Sequence, residues 1–279
     1  TLSSSSAASD VYKRQLHSSA ISFSGADGTV DGLIFAQSGS IGFLDAGSSF
    51  MIECDNDDSI KFSVTDSQKM KLDANSRISL SNNDTGTSNT IFGKTAGDSD
   101  GAGDYNVFIG ELSGGTGTQT DACDFNVAIG YNAYTNVTQG TNSTIVGAMA
   151  GDAATTTTNL TLIGKGAGTA INNTDANGTV AVGSSALESL TEGAENVAVG
   201  YQAGLAQTTG DGNTVIGYDA FKSADGTEGS NVVVGKAAGQ SINHDSSHQN
   251  VIIGSGAMAG GTAQQNNNVA VGYLSLIHI

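Results

Sequence analysis

The feature that most constrains this chain is a short phrase repeated eleven times. Aligned on one glycine, the copies fall at Gly93, Gly110, Gly130, Gly147, Gly164, Gly183, Gly200, Gly217, Gly235, Gly254 and Gly272, spaced 17–20 residues apart. Four residues before the glycine stands Asn in eight copies: Asn89, Asn106, Asn126, Asn196, Asn213, Asn231, Asn250 and Asn268. Three residues after it comes Ala, with Ser113 the exception among complete copies. The following residue is Gly, or else bulky, as at Tyr134, Leu187, Phe221 and Met258. Self-similarity at such a period signifies stacked units that cannot bury their apolar faces alone.

The three residues before each glycine are β-branched, aromatic or small, and no copy carries a charge there. Bounded by turn residues, they are too few for a helix and suit a strand. Their apolar character predicts burial on both strand faces, as in a covered parallel sheet. One face packs inside the chain's own coil and the other requires a second cover. The glycine supplies a corner of positive φ or a close backbone approach, and Asn supplies a similar conformation at the opposite corner. Stacking sets like over like, so the Asn amides are expected to form a ladder. The eight to eleven residues between phrases, such as "DAATTTTN" (152–159), vary in length without apolar pattern and read as loops. The fold class expected for residues 89–273 is therefore all-β: a parallel β-roll or β-solenoid, one rung per repeat. Ten steps at about 4.8 Å make it roughly 48 Å long.

Residues 16–88 have another rhythm. Strands of four to six residues ("AISFSG", "GLIFAQ", "SIKFSV", "KMKLDA") are joined by Gly, Ser, Asp and Asn turns. This predicts a strand-rich antiparallel or intertwined segment. The two ends read differently again. "DVYKRQ" (10–15) and "LSLIHI" (274–279) are translations of opposite strands of one 18-nucleotide element under a permitted coding. That element resembles the transposon end used in sequencing libraries, so residues 1–15 and 274–279 are expected to be adapter-derived and the rest an internal piece of a longer protein.

The phrase N-V-A-I-G-x-x-A resembles the head repeat of trimeric autotransporter adhesins, a left-handed parallel β-roll, although the repeats here are longer. Similar longer repeats occur in phage tail fibres, and residues 48–80 resemble the strand-rich shaft that precedes them there. The resemblance implies a homotrimeric, extracellular fibre segment on a virion or a bacterial surface. A phage tail fibre contacting a host glycan or protein is the favoured expectation. A bacterial adhesin head and a glycan-degrading tailspike are the alternatives.

Composition narrows the partners. With both ends set aside, eight Lys/Arg face 26 Asp/Glu, a balance that repels phosphate backbones and anionic lipid, so nucleic acid is not expected as a partner. No apolar run reaches membrane-spanning length. Cys54 and Cys123 lack ligand spacing and read as free thiols.

Motifs that resemble chemical sites dissolve into the repeat. "GKT" (93–95) lacks the earlier glycine of a phosphate loop, since Ser88 stands there. "GSGAMAG" (254–260) has the wrong spacing for a dinucleotide site. His244 and His248 lie in a loop, where their spacing does not converge. "CDNDD" (54–58) and "DSDGAGD" (98–104) lack the ligand order of a calcium loop and suit at most loose cation binding. No Ser/His/Asp or Cys/His set stands out, so no enzyme activity and no cofactor are expected.

Overall fold

In the computed structural model the described residues are seven strands between Ala20 and Leu80, and residues 88–276 apart from 98–102, 116–118, 121, 246 and 261–263. The fragments "CDNDD" and "DSDGAGD" fall largely outside them. The chain divides into two compact units, at residues 83 and 84.

The first unit is an antiparallel meander: β1 (Ala20–Ser24), β2 (Val30–Gln37), β3 (Ser40–Leu44), β4 (Phe50–Asp55), β5 (Ser59–Val64), β6 (Ser67–Leu72) and β7 (Ile78–Leu80) pair in chain order. Between antiparallel and intertwined, the pairing within one chain is antiparallel. Its register aligns Ile34, Phe43, Ile52, Phe62 and Met70 in one cross-strand row. Directly paired residues share a face. Phe43 and Phe62 nevertheless stand exposed in the single chain.

The second unit is a β-solenoid of about ten turns. Eleven three-residue strands form one parallel sheet, each paired in register with the next in sequence: β8 (Thr90–Phe92), β9 (Val107–Ile109), β10 (Val127–Ile129), β11 (Thr144–Val146), β12 (Thr161–Ile163), β13 (Val180–Val182), β14 (Val197–Val199), β15 (Thr214–Ile216), β16 (Val232–Val234), β17 (Val251–Ile253) and β18 (Val269–Val271). One strand per repeat is what the glycine spacing predicts.

The phrase glycines perform both tasks expected of them. Their φ values run from 125° to 142°. From Gly93 to Gly254, an added Cβ would lie within 2.7 Å of the backbone of the next phrase glycine. No side chain fits between such closely stacked backbones.

The opposite corner departs from expectation. The phrase asparagines are not left-handed; the residue before each is, at all eleven copies, including Tyr105, Phe125, Glu195 and Gln249. The second and fourth residues after every phrase glycine are left-handed too, among them Leu112, Met149, Leu187 and Phe221. For an L-residue each costs on the order of 1–2 kcal/mol. The compensation is that this geometry directs the backbone N–H along the stack. Met149 N–H donates back to Tyr131 O at 2.8 Å, and Phe221 N–H donates forward to Ala238 O at 2.9 Å. Alternating directions of donation tie every rung to both neighbours.

Asn side chains close the coil from within. Asn196 Oδ1 accepts the Asn213 N–H at 2.9 Å, Asn213 Oδ1 accepts that of Asn231 at 3.0 Å, and Asn231 Oδ1 accepts that of Asn250 at 3.0 Å. Nδ2 donates to the carbonyl three residues before the next copy's asparagine position, as from Asn126 to Gly140 O and from Asn196 to Gly210 O, both at 2.7 Å. The expected ladder therefore exists: it runs from side-chain carbonyl to backbone N–H, and from Asn213 to Asn268 also from amide to amide, with Asn231 Nδ2 donating to Asn213 Oδ1 at 3.1 Å and Asn250 Nδ2 to Asn231 Oδ1 at 2.9 Å. Ser143 carries it to Leu160, whose N–H donates to Ser143 Oγ at 3.2 Å; Leu160 cannot pass it on.

Core volume is balanced within several of the rungs. Where the middle strand residue is large (Phe108, Ile145, Leu162), the fourth residue after the glycine is Gly114, Gly151 or Gly168, and a Cβ there would collide with those large side chains. Where the middle residue is Ala128 or Ala181, the space is filled by Tyr134 or Leu187, both wholly buried. The inter-phrase segments are not pure loops: Val137, Ile171, Leu190 and Ile242, each seven residues after a phrase glycine, are also buried. Leu274, Ser275 and Leu276 lie in the C-terminal sequence expected to be adapter-derived, yet they complete the last turn, with Met258 N–H donating to Ser275 O at 2.8 Å.

Candidate interaction surface

The burial pattern of the short strands defines the principal surface. Only the middle residue of each faces the core: Ala128, Ala181, Ala198 and Ile252 are wholly buried, while the residues beside them are half-buried or exposed. The single chain thus covers the inner face and leaves the outer one without the second cover the sequence calls for. The reason is geometric, since alternate side chains point oppositely and one coil covers only its own interior. The outward face is a continuous column of Val, Ile, Phe and Thr along the sheet, with Phe92, Ile163, Ile216, Ile253 and Val271 exposed. Apolar stripes of this extent mark an interaction surface.

Two further columns flank it. The residue after each phrase glycine points to solvent, and in-register stacking brings successive copies together. Lys94 Nζ lies 3.6 Å from Glu111 Oε1. The Tyr201 and Tyr218 rings stack with centroids 5.1 Å apart, and Lys236 Nζ lies 6.0 Å from the Tyr218 ring centre. At the left-handed corner before the asparagine, the Tyr105 and Phe125 rings stack with centroids 5.0 Å apart and planes nearly parallel. The spacing follows from the rung repeat of about 4.8 Å. These aromatics were not singled out from sequence. The usable signal was their recurrence one residue after Gly130, Gly200, Gly217 and Gly272.

The inter-phrase segments form the third surface. Thr174, Asp175, Glu192, Glu195, Thr209 and Asp211 line an open groove of about 510 Å³. Asp211 is committed to structure, its Oδ1 accepting the Ala194 N–H at 2.8 Å. Such a carboxylate-rich lining suits cations or hydroxyl donors and repels phosphate.

The motifs weighed from sequence take structural places. Gly93, Lys94 and Thr95 are a repeat turn, with Thr95 left-handed. Gly254, Gly256 and Met258 are likewise turn positions of positive φ. His248 Nδ1 accepts the Gly229 N–H at 2.9 Å, tying neighbouring segments together. Both cysteines are free, Cys54 exposed and Cys123 buried. Burial pushes the Cys123 thiol up to about 12; Asp124 reinforces the rise and a hydrogen bond from Asn126 opposes it. A thiol held protonated in this way is a poor nucleophile. Among the described residues no helix is long and apolar enough to cross a membrane. No family model, curated protein or solved structure matches the chain.

Proposed function

We propose that this chain is a structural segment of a self-associating extracellular fibre, and that its outward strand face is the surface through which identical chains pack. The observation that carries the reading is the uncovered apolar column along β8–β18. Each rung contributes two outward apolar or Thr side chains and none bears a charge, so a lone protomer leaves the whole column in water. Parallel identical chains around a threefold axis bring column to column and leave no open edge. The exposed Phe43 and Phe62 of the antiparallel unit support the same reading.

Within that reading the chain serves as a phage tail-fibre segment, on a virion, with a host-surface glycan or protein as its external partner. The antiparallel meander ahead of the solenoid favours this over an adhesin head. The inter-phrase segments, which vary in length while the rungs do not, are the places where specificity is altered without disturbing the stack. Negative-stain electron microscopy of the purified chain tests the proposal. Uniform short rods containing several chains are expected, and single-chain particles at micromolar concentration would contradict it.

A further inference from the structure

Asp225, Glu228 and Asp245 place carboxylate oxygens within 4.8 Å of one another. Asp225 and Glu228 lie on the segment following Gly217, and Asp245 lies on the equivalent segment one rung later. An acidic cluster on so acidic a chain is unremarkable alone, but two other observations point to a ligand. Glu228 is wholly buried; its Oε2 accepts the Gly226 N–H at 2.9 Å, whereas its Oε1 is buried with no hydrogen-bond partner. Neither of the ion pairs among the described residues, Lys94–Glu111 and Lys222–Asp219, reaches it. A carboxylate taken from water without a compensating charge is strongly disfavoured. The backbone also makes room for the third carboxylate. Asp245 Oδ1 packs directly over Gly226, where a Cβ would come within 2.0 Å of it and push the carboxylate aside.

We propose that these three carboxylates bind one calcium ion between successive rungs. Three oxygen donors select a hard cation. Oxygens sharing a calcium shell at 2.3–2.6 Å from the ion can stand up to about 5 Å apart, so the observed separations fit one ion. Water completes the shell on the side where Asp225 and Asp245 are exposed. The frame is fixed by other contacts: the Asp225 carbonyl accepts from Thr208 Oγ1 at 2.7 Å, the Glu228 carbonyl accepts from Asn213 Nδ2 at 2.7 Å, and Thr227 Oγ1 donates to the Asp245 carbonyl. The ion offsets the buried charge of Glu228 and clasps two variable segments whose backbones are otherwise joined by few bonds.

The test is thermal unfolding and calorimetric titration of the chelator-treated chain with calcium chloride. The unaltered chain is expected to bind one ion at this position and to melt higher as calcium rises. Glu228→Gln, near-isosteric and uncharged, is expected to bind at least about tenfold more weakly. The exposed-site variants Asp225→Asn and Asp245→Asn weaken binding without touching the core, and so decide the matter if Glu228→Gln does not fold. Glu192→Gln, in the acidic groove elsewhere, retains the full shift. Equal shifts in all variants would reduce the effect to diffuse screening and overturn the site. So would no shift in the unaltered chain at about 10 mM calcium, ten times the dissociation constant of the weakest calcium modules.

Discussion

Asn213 Oδ1 accepts two hydrogen bonds from Asn231, from the backbone N–H at 3.0 Å and from Nδ2 at 3.1 Å. The same Asn213 donates from its own Nδ2 to the Glu228 carbonyl. Its amide is therefore the joint between its own coil and the next rung. Asn213→Ala leaves a buried N–H and a buried carbonyl without these partners, each costing about 1–3 kcal/mol. A total of roughly 2–6 kcal/mol is expected from chemical denaturation. A loss under about 1 kcal/mol would show that the ladder is incidental.

The stacked glycines make a second prediction, with an internal control. Gly200 and Gly272 share a positive φ, at 142° and 125°. A Cβ on Gly200 would lie 2.4 Å from Gly217 O, whereas a Cβ on Gly272 meets nothing within 4 Å. Both Ala variants pay the backbone strain of about 1–2 kcal/mol. Gly200→Ala adds a collision between backbones and is expected to cost several kcal/mol more. Similar melting points for the two would mean that rung stacking does not set the glycine requirement.

Inside and outside of one strand can be separated at adjacent residues. Ala198 is wholly buried, so Ala198→Asp places an unpaired charge in the core, at a cost of about 3–5 kcal/mol to the folded coil. Val199 points outward and is half-buried. Val199→Asp is expected to leave the secondary structure of the coil intact while weakening association, which circular dichroism and sedimentation separate. Thr156→Asp, in an inter-phrase segment, should do neither. Unfolding by Val199→Asp in dilute, dissociated protein would mean that its face belongs to the core.

Alkaline pH addresses the buried ionisable groups. Burial raises the Cys123 thiol from 9.0 to about 12. Burial also pushes the Tyr134 phenol well above its ordinary value, with hydrogen bonds to Ser143 and Thr157 opposing the rise and Cys123 adding to it. Below about pH 8 both are protonated folded and unfolded, so neither makes stability depend on pH. Above pH 9 the unfolded chain releases the Cys123 proton first, and stability falls by up to about 1.4 kcal/mol per pH unit until the folded thiol also titrates near 12. Cys123→Ala should flatten that slope while lowering stability at pH 7. An unchanged slope would place Cys123 in contact with water.

The rungs were legible because their determinants are local: a glycine that admits no Cβ, an asparagine that joins neighbours, and three β-formers between them. The left-handed corners were not. Leu187 and Phe221 carry no sequence signal for positive φ, since ordinary preference is overridden by inter-rung hydrogen bonds that exist only once the stack forms. The buried Val137 and Ile242 were hidden among polar residues because one apolar position per segment makes no periodic pattern. The grouping of Asp225 and Glu228 with Asp245 was equally invisible. It arises from rung stacking, which brings together residues from successive repeats. The outer strand face was legible as the one that needs a second cover, and in the single chain it stands half-buried or exposed.

That cover is the central claim, and the mass of the particle in solution tests it most directly. Multi-angle light scattering on the chain at micromolar concentration is expected to give three times the mass of one chain, with Val199→Asp shifting the distribution toward single chains. A stable, monodisperse monomer that unfolds cooperatively would contradict the account, because the apolar column of β8–β18 would then need no partner.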